Sequence, residues 1–418
     1  MPLWVIKKEM ELNSKTVYIF TVNYPFGLDS EAFLQEELNV ASEKGVRVVV
    51  IPARKAKGER PVPSGVVVDR SICDAPLNKK LLAVIRTIFS MGMLSVWACL
   101  FCDSAFSIKY LPDAIKYIYA ANLVYGDVIK RAKNPNPSIF YGYWFTYYPI
   151  AFAYYRLKHP DSIHQFICRG HGSDIYSVRV GVYYPLKKFV LNHIDAVYTV
   201  SEYGKRYLLE KYPTGRTPVI VARLGVRLPS KIPFFESSDL VRVVSCSTVI
   251  ESKRVDRLHR VLKAYAEKNG CNIEWHHFGD GNCFAQLSEQ VAREKSNGLH
   301  CILHGFVPND KLMEYYANHA VNVFISVSES EGVPVSMMEA LSYNIPILST
   351  NVGGCNELVT RETGYLISAD FTQEEFDKGL SFVLSNRFSY SQTVHGYYLA
   401  HYDAVRNYTM FYSDIMSL

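Results

Sequence analysis

The chain has 418 residues, 49% of them hydrophobic and 20% charged, with a formal net charge of +5. Those values exclude a disordered chain and a surface basic enough overall to hold nucleic acid, and the length exceeds one ordinary core, so two domains are expected. The cationic excess is local: between Asp74 and Lys133, eight Lys/Arg stand against four Asp and no Glu, a balance of +4 (8 − 4).

From the first residue, "MPLWVIKKEMELNSK" has neither the apolar run nor the small-residue cleavage site of a leader. The nine cysteines, an odd number scattered along the chain, point to reduced thiols and a cytoplasmic setting. Cys99 and Cys102 form a lone C-x-x-C inside "VWACLFC". With no second ligand pair nearby, they read as small apolar core residues rather than zinc ligands.

β-Branched runs then alternate with helical patterns. "TVYIFTVN" (16–23) leads through "DSEAFLQEELNVASEKG" to "VRVVVIP" (46–52). "HQFICRG" (164–170) and "AVYTVS" (196–201) follow, the latter opening onto "EYGKRYLLEKY". Such alternation predicts parallel sheets covered by helices. Between them lies the most apolar stretch of the chain, 81–108, uninterrupted for sixteen residues between Arg86 and Asp103. That is short for a membrane span. Its neighbours Lys79, Lys80, Arg86, Lys109 and Lys116 suit a helix lying on an anionic membrane surface, and a buried core helix is the equal rival.

"VRLPSKIPFFESSDL" (226–240) breaks the alternation with prolines and serines and reads as a linker. A second series follows: "VRVVSCST", "IEWHHFG", "LHCILHG", "VNVFISVS", "IPILST" and "GYLISA". Val255, Leu258, Val261, Leu262 and Tyr265 hold helical spacing, and Gly270 stands where a helix C-cap belongs. Two α/β lobes facing a cleft are therefore expected, with ligands beyond the carboxyl ends of the strands.

"SESEGVPVSMMEA" (328–340) carries the chemistry. Pro334 suits the first turn of a helix, and Asn344 suits its left-handed end. Glu339 shares a helix face with Val335 and Met338, where a carboxylate is costly unless something bonds to it. Glu331 stands in the turn before that helix, whose N-terminus offers free N–H groups and a positive dipole end. This layout suits a nucleotide sugar: backbone groups for the diphosphate, one carboxylate for ribose hydroxyls and one for the sugar. Two solvated or lysine-paired glutamates are the bland alternative.

The longer stretch "EGVPVSMMEALSYNIPILSTNVGGCNELV" resembles the E-x7-E signature of retaining GT-B glycosyltransferases, glycosyl transferases group 1, a family that includes bacterial polysaccharide and lipid glycosyltransferases. "RGHGSDIY" (169–176), "SKRVDRLHRVLKAY" and "HHFGDG" (276–281) resemble its other site segments. The resemblance implies an N-terminal acceptor-binding Rossmann-like lobe over 1–225, the linker 226–240, and a nucleotide-sugar-binding lobe over 241–395. A C-terminal helix over 396–418 would brace the first lobe.

Residue by residue, the resemblance puts Glu339 on ribose, Glu331 near the donor sugar, and Lys253, with Gly332 and Val333, on the diphosphate. His171 would lie beside the reacting sugar, Asp174 would shape its loop, and Gly27 would stand on the acceptor side. The family's usual arginine five residues before the lysine is replaced by Thr248, and Arg254 is the nearest substitute. The implied reaction is front-side displacement from a UDP-sugar, the departing phosphate helping to deprotonate the acceptor. No D-x-D pair occurs, so no divalent metal and no cofactor are expected. The expected acceptor is a saccharide or lipid-linked saccharide for capsule, O-antigen or a similar polymer, with peripheral membrane contact through 79–116. A non-hydrolysing nucleotide-sugar epimerase and a non-catalytic GT-B partner protein are the rival readings. A dinucleotide oxidoreductase is disfavoured because no G-x-G-x-x-G follows a strand.

Overall fold

The computed structural model describes residues 15–27, 31–89, 110–176, 184–234 and 239–418. The chain divides into two compact units, residues 1–223 with 404–418, and residues 224–403.

In the first unit the elements run β1 (Thr16–Thr21), α1 (Leu34–Glu43), β2 (Arg47–Pro52), β3 (Val67–Val68), α2 (Leu77–Phe89), α3 (Leu111–Arg131) and β4 (Ser138–Gly142). They continue with α4 (Tyr148–Lys158), β5 (Gln165–Gly170), α5 (Lys187–Val190), β6 (Ala196–Thr199), α6 (Glu202–Lys211) and β7 (Val219–Val221). The seven strands form one parallel sheet in the order β3-β2-β1-β4-β5-β6-β7. The central strands are buried on both faces, which is why they read as continuous apolar runs.

The second unit repeats the plan. It contains β8 (Leu240–Cys246), α7 (Val255–Asn269), β9 (Asn272–Phe278), α8 (Phe284–Arg293), β10 (Leu299–Leu303) and α9 (Asn309–Asn318). Then come β11 (Val323–Ser326), α10 (Val335–Ser342), β12 (Ile347–Thr350), β13 (Gly364–Ile367), α11 (Gln373–Ser385) and α12 (Arg387–His401). Its six parallel strands follow β10-β9-β8-β11-β12-β13. Each sheet thus steps outward from its first strand in both directions, leaving a topological switch point between β1 and β4 and another between β8 and β11. The two parallel-sheet Rossmann-like units agree with the fold class expected from the alternation.

The boundaries differ from the expected ones. The division falls at Arg223 and Leu224, so residues 226–234 belong to the second unit rather than to a free linker. The segment 396–418 is not one helix: α12 ends at His401 inside the second unit, and α13 (Ala404–Ser417) returns to the first. The two crossings are tied side by side, Val226 N donating to Tyr402 O at 3.0 Å and Tyr398 Oη to Val226 O at 2.7 Å. Phe411, Tyr412, Ile415 and Met416 of α13 pack into one core with Val17, Ile19 and Leu38.

Cys99, Cys102 and most of the apolar stretch 81–108 lie outside the described residues. Among the described residues, no helix is long and apolar enough to cross a membrane.

Candidate functional site

The switch point of the second sheet gathers the residues singled out for the donor. β8 leads into residues 247–254, which close on a 3-10 turn (Glu251–Lys253), and β11 leads into residues 327–334. A backbone bond joins these two loops, Glu329 N to Ser252 O at 2.8 Å. Lys253 Nζ lies 2.5 Å from Glu331 Oε1, a pair only partly open to solvent. A small cavity between the ends of β8 and β11 is lined by Cys246, Ser247, Lys253 and Ser326.

Pro334 caps α10, and Asn344 takes φ 60° beyond its end, the left-handed conformation that releases the chain into β12. Gly332 and Val333 have no acceptor for their N–H groups among the described residues. The same loop is held from the turn after β12 by Gly354 N, 2.8 Å from Gly332 O. A Cβ at Gly354 would meet that carbonyl oxygen at 2.6 Å, so the position admits only glycine without the loop shifting.

Glu339 is buried on α10, and burial pushes its carboxyl up to about 7. The opposing influence is Asn309 at the start of α9, whose Nδ2 donates to Glu339 Oε1 at 2.7 Å. Asn309 is absent from the residues singled out by sequence; no local pattern marks it, because the contact joins two helices 30 residues apart. Burial and, after it, Glu339 push the Cys246 thiol up to about 12 against the opposing Lys253, so both charges act at the end of β8. Arg254, left-handed at φ 51°, faces elsewhere: its Nε meets Glu329 at 2.8 Å and its Nη1 meets Ala369 O at 2.6 Å.

Beneath this loop His277 is fully buried and bonded through Nδ1 to Ser245 Oγ at 2.8 Å. Burial lowers it to about 4, so it stays neutral.

The first unit places His171 at the end of β5, buried in an aromatic box. Ring centroids of Trp144, Tyr143 and Phe33 lie 4.5, 5.0 and 5.2 Å away. Among the described residues neither His171 ring nitrogen has a hydrogen-bond partner, and burial lowers its pKa. Asp174 directs both carboxylate oxygens to backbone, His171 N at 2.7 Å and Phe145 N at 2.8 Å. It clips two loops together, and its Oδ2 also lies 3.8 Å from His171 Nδ1.

Glu31, which reads in the sequence as part of a helix start, organises the loop after β1. It accepts the N–H groups of Val22, Asn23 and Tyr24 at 2.9, 2.8 and 2.7 Å and the Trp144 indole at 2.6 Å. Gly27 takes φ 80° on the same loop, bonded to Gly58 O at 2.9 Å.

Two parallel units of this topology define the GT-B fold. The apo lipopolysaccharide outer core galactosyltransferase WaaB superposes with a TM-score of 0.67 over 97% of this chain and 100% of that one, at 15% identity. Anabaena HepE in complex with UDP-glucose gives a TM-score of 0.60 over 96% and 100%, at 14% identity. At such identities the likeness establishes the fold alone. Residues 234–396 match the family Glycosyl transferases group 1, which places the whole Lys253–Glu331–Glu339 constellation inside the matched segment. The O-antigen biosynthesis glycosyltransferase WbnH of Escherichia coli is 25% identical over 175 residues, 42% of this chain and 47% of its own length. The chain thus spans about half the length of the curated relatives it matches.

Proposed function

We propose that the protein is a retaining glycosyltransferase of cell-surface polysaccharide synthesis, moving a sugar from a nucleotide diphosphate, with UDP-sugars first among the candidates, to a saccharide or lipid-linked saccharide. The observation that carries this reading is the switch point of the second sheet. There one cation, one paired carboxylate and one buried carboxylate stand around a helix N-terminus inside the family-matched segment. The names of the compared proteins support it: WbnH is an O-antigen glycosyltransferase, and HepE was solved with UDP-glucose.

Lys253 is neutralised by Glu331. A diphosphate competes for that ammonium and takes the free N–H groups of Gly332 and Val333. Glu331 is then released to accept hydroxyls of the sugar, while Glu339 receives the ribose. The bond from the anomeric carbon to the departing phosphate oxygen breaks as the acceptor oxygen bonds to the same face. The acceptor proton passes to the phosphate oxygen. The protein contributes position and charge complementarity rather than a covalent intermediate. Lys253 and the helix dipole carry the diphosphate without a divalent cation in this scheme. A lipid-linked acceptor would bring the first unit to the inner face of the membrane, with contact through 79–116.

Calorimetric titration with UDP and UDP-glucose tests the reading. Binding is expected, unchanged by EDTA, and weakened at least about tenfold by Glu339→Ala or Lys253→Ala in folded protein. Absence of any nucleotide-diphosphate binding by the intact chain overturns the reading. Binding that survives both substitutions overturns the site.

A further inference from the structure

Helix α2 is amphipathic in the reverse sense for a helix at a water-facing surface. Its small residues turn inward: Ala83 and Thr87 are buried, and Thr87 Oγ1 accepts Asn122 Nδ2 of α3 at 3.0 Å. Its large aliphatic side chains face out. Leu77 is 81% exposed, Leu81 57%, Ile85 45% and Ile88 66%. Their spacing of four, four and three residues puts them on one stripe along the helix. A contiguous apolar stripe of this kind marks a surface that meets something other than water.

Beside the stripe, α2 and α3 enclose a cavity of about 180 Å³. Ile72 and Leu123 contribute its apolar lining, and Lys79, Arg86 and Lys130 bring three cations to it. Its one carboxylate, Asp127, is already neutralised: Arg131 Nε lies 2.5 Å from Oδ2, and Ser71 Oγ donates to Oδ1 at 3.1 Å. Among the described residues, none of the three cations forms an ion pair. The cavity is therefore a cationic seat with an apolar lining, open to an anion that carries hydrocarbon.

We infer that this groove binds the phosphate headgroup of an anionic lipid while the Leu77–Ile88 stripe enters the acyl layer. Charge complementarity selects this occupant, since an uncharged apolar partner would leave three cations next to the stripe with no anion, Arg86 having among the described residues only the Tyr125 ring 5.9 Å away. The inference rests on the membrane contact proposed above and is independent of the transfer chemistry. It turns that general contact into a defined site with two separable parts, an apolar one for insertion and a basic one for headgroup preference.

Vesicle sedimentation of the full chain separates the two parts. The intact protein is expected to bind phosphatidylglycerol-containing vesicles well and pure phosphatidylcholine vesicles weakly. A Lys79→Gln/Arg86→Gln/Lys130→Gln variant should lose roughly a hundredfold in affinity for the anionic vesicles, the equivalent of three basic residues at such a surface, and fall to the phosphatidylcholine level. Leu81→Asp/Ile85→Asp should lose binding to both. UDP titration should be unchanged in both variants, which verifies folding and keeps this result apart from failure of the donor site.

The inference is overturned by equal binding of the intact chain and both variants. It is equally overturned if inorganic phosphate stabilises the intact chain and not the triple variant while no vesicle binds. A concentration-dependent dimer abolished by Leu81→Asp/Ile85→Asp would assign the stripe to a second copy. A Leu81→Cys thiol unreactive to maleimide without lipid would assign it to the chain's own residues, 90–109 among them.

Discussion

The two sheets share one strand order and one kind of switch point, yet those points carry opposite chemistry. At the β8/β11 crevice polar groups converge: Lys253 and Glu331 answer each other, two backbone N–H groups have no acceptor among the described residues, and Glu339 is held by a single amide. At the β1/β4 crevice the carboxylates are turned inward to the backbone, Glu31 onto three N–H groups and Asp174 onto two, and His171 is buried among aromatic rings. Topology fixes where a crevice forms; the residues after each strand decide whether it receives charge. The proposed function puts a diphosphate at the β8/β11 crevice of the second unit, and the apolar faces and hydroxyls of a saccharide at the β1/β4 crevice of the first.

The comparison breaks most readily at the support beneath the first sheet. Arg169, two residues before His171, forms a fully buried pair with Glu37 of α1 at 2.7 Å, and Phe411 of α13 lies 4.2 Å beneath the guanidinium. Glu37→Ala leaves that guanidinium without its partner in a site closed to water, a change worth about 3–5 kcal/mol of stability. Denaturant unfolding of the first unit should report the loss, with UDP affinity at the second crevice nearly unchanged in the protein that remains folded. A loss under about 1 kcal/mol would mean that water or rearranged tyrosines solvate Arg169.

A smaller effect sharpens the charge assignment of the second crevice. Glu339 faces Asn309, Tyr316, Tyr343 and the Cys246 thiol; the two tyrosines and the thiol are shifted upward and stay neutral near pH 7. Its carboxyl is raised from 4.5 to about 7 in the empty site. In the proposed donor site ribose hydroxyls would donate to the ionised form, so ligand would lower that value, and binding below pH 7 would require a proton to leave. Affinity for UDP should therefore rise with pH, by at most about tenfold per unit, and level off above about 7. Glu339→Gln should flatten the profile. The ligand-free protein follows the opposite sign: a carboxyl raised on folding favours the folded state at low pH, and that contribution is lost as pH rises from 4.5 through about 7.

The two crevices also differ in how far they can be read from sequence. In the second unit every quoted run became a strand, and Gly270 and Asn344 adopt the left-handed conformations their positions require. Each of those features is local, a matter of period or of one residue's φ. The first unit hid its central strand. Ser138–Gly142 is buried on both faces and merges into "YGYWFTYYPIAFAYY", where neither alternation nor helical spacing stands out. Glu31 was equally hidden, because its role depends on Trp144, 113 residues away, and on backbone groups that no side-chain pattern reports. Arg254 illustrates the same limit from the other side: the segment showed that it belongs near a site, but only the fold shows that it is bonded to Glu329 and to Ala369 O.

The smallest expected effect concerns Asn309, the residue of the second crevice that sequence did not mark. Its amide is the one hydrogen bond that offsets the burial of Glu339, so Asn309→Ala removes a donor to a charged acceptor, worth about 1 kcal/mol or roughly fivefold in UDP affinity near pH 7. The deficit should depend on pH. Without the amide the carboxyl rises further in the empty site, so the pH at which affinity levels off moves upward and the loss shrinks in alkaline solution, where Glu339 is ionised in either protein. A purely structural role for Asn309 would lower affinity by the same factor at every pH. Titrations of intact and Asn309→Ala protein with UDP at several pH values separate the two: a displaced profile makes Asn309 a positioning residue for the ribose clamp, and a parallel one removes it from the site.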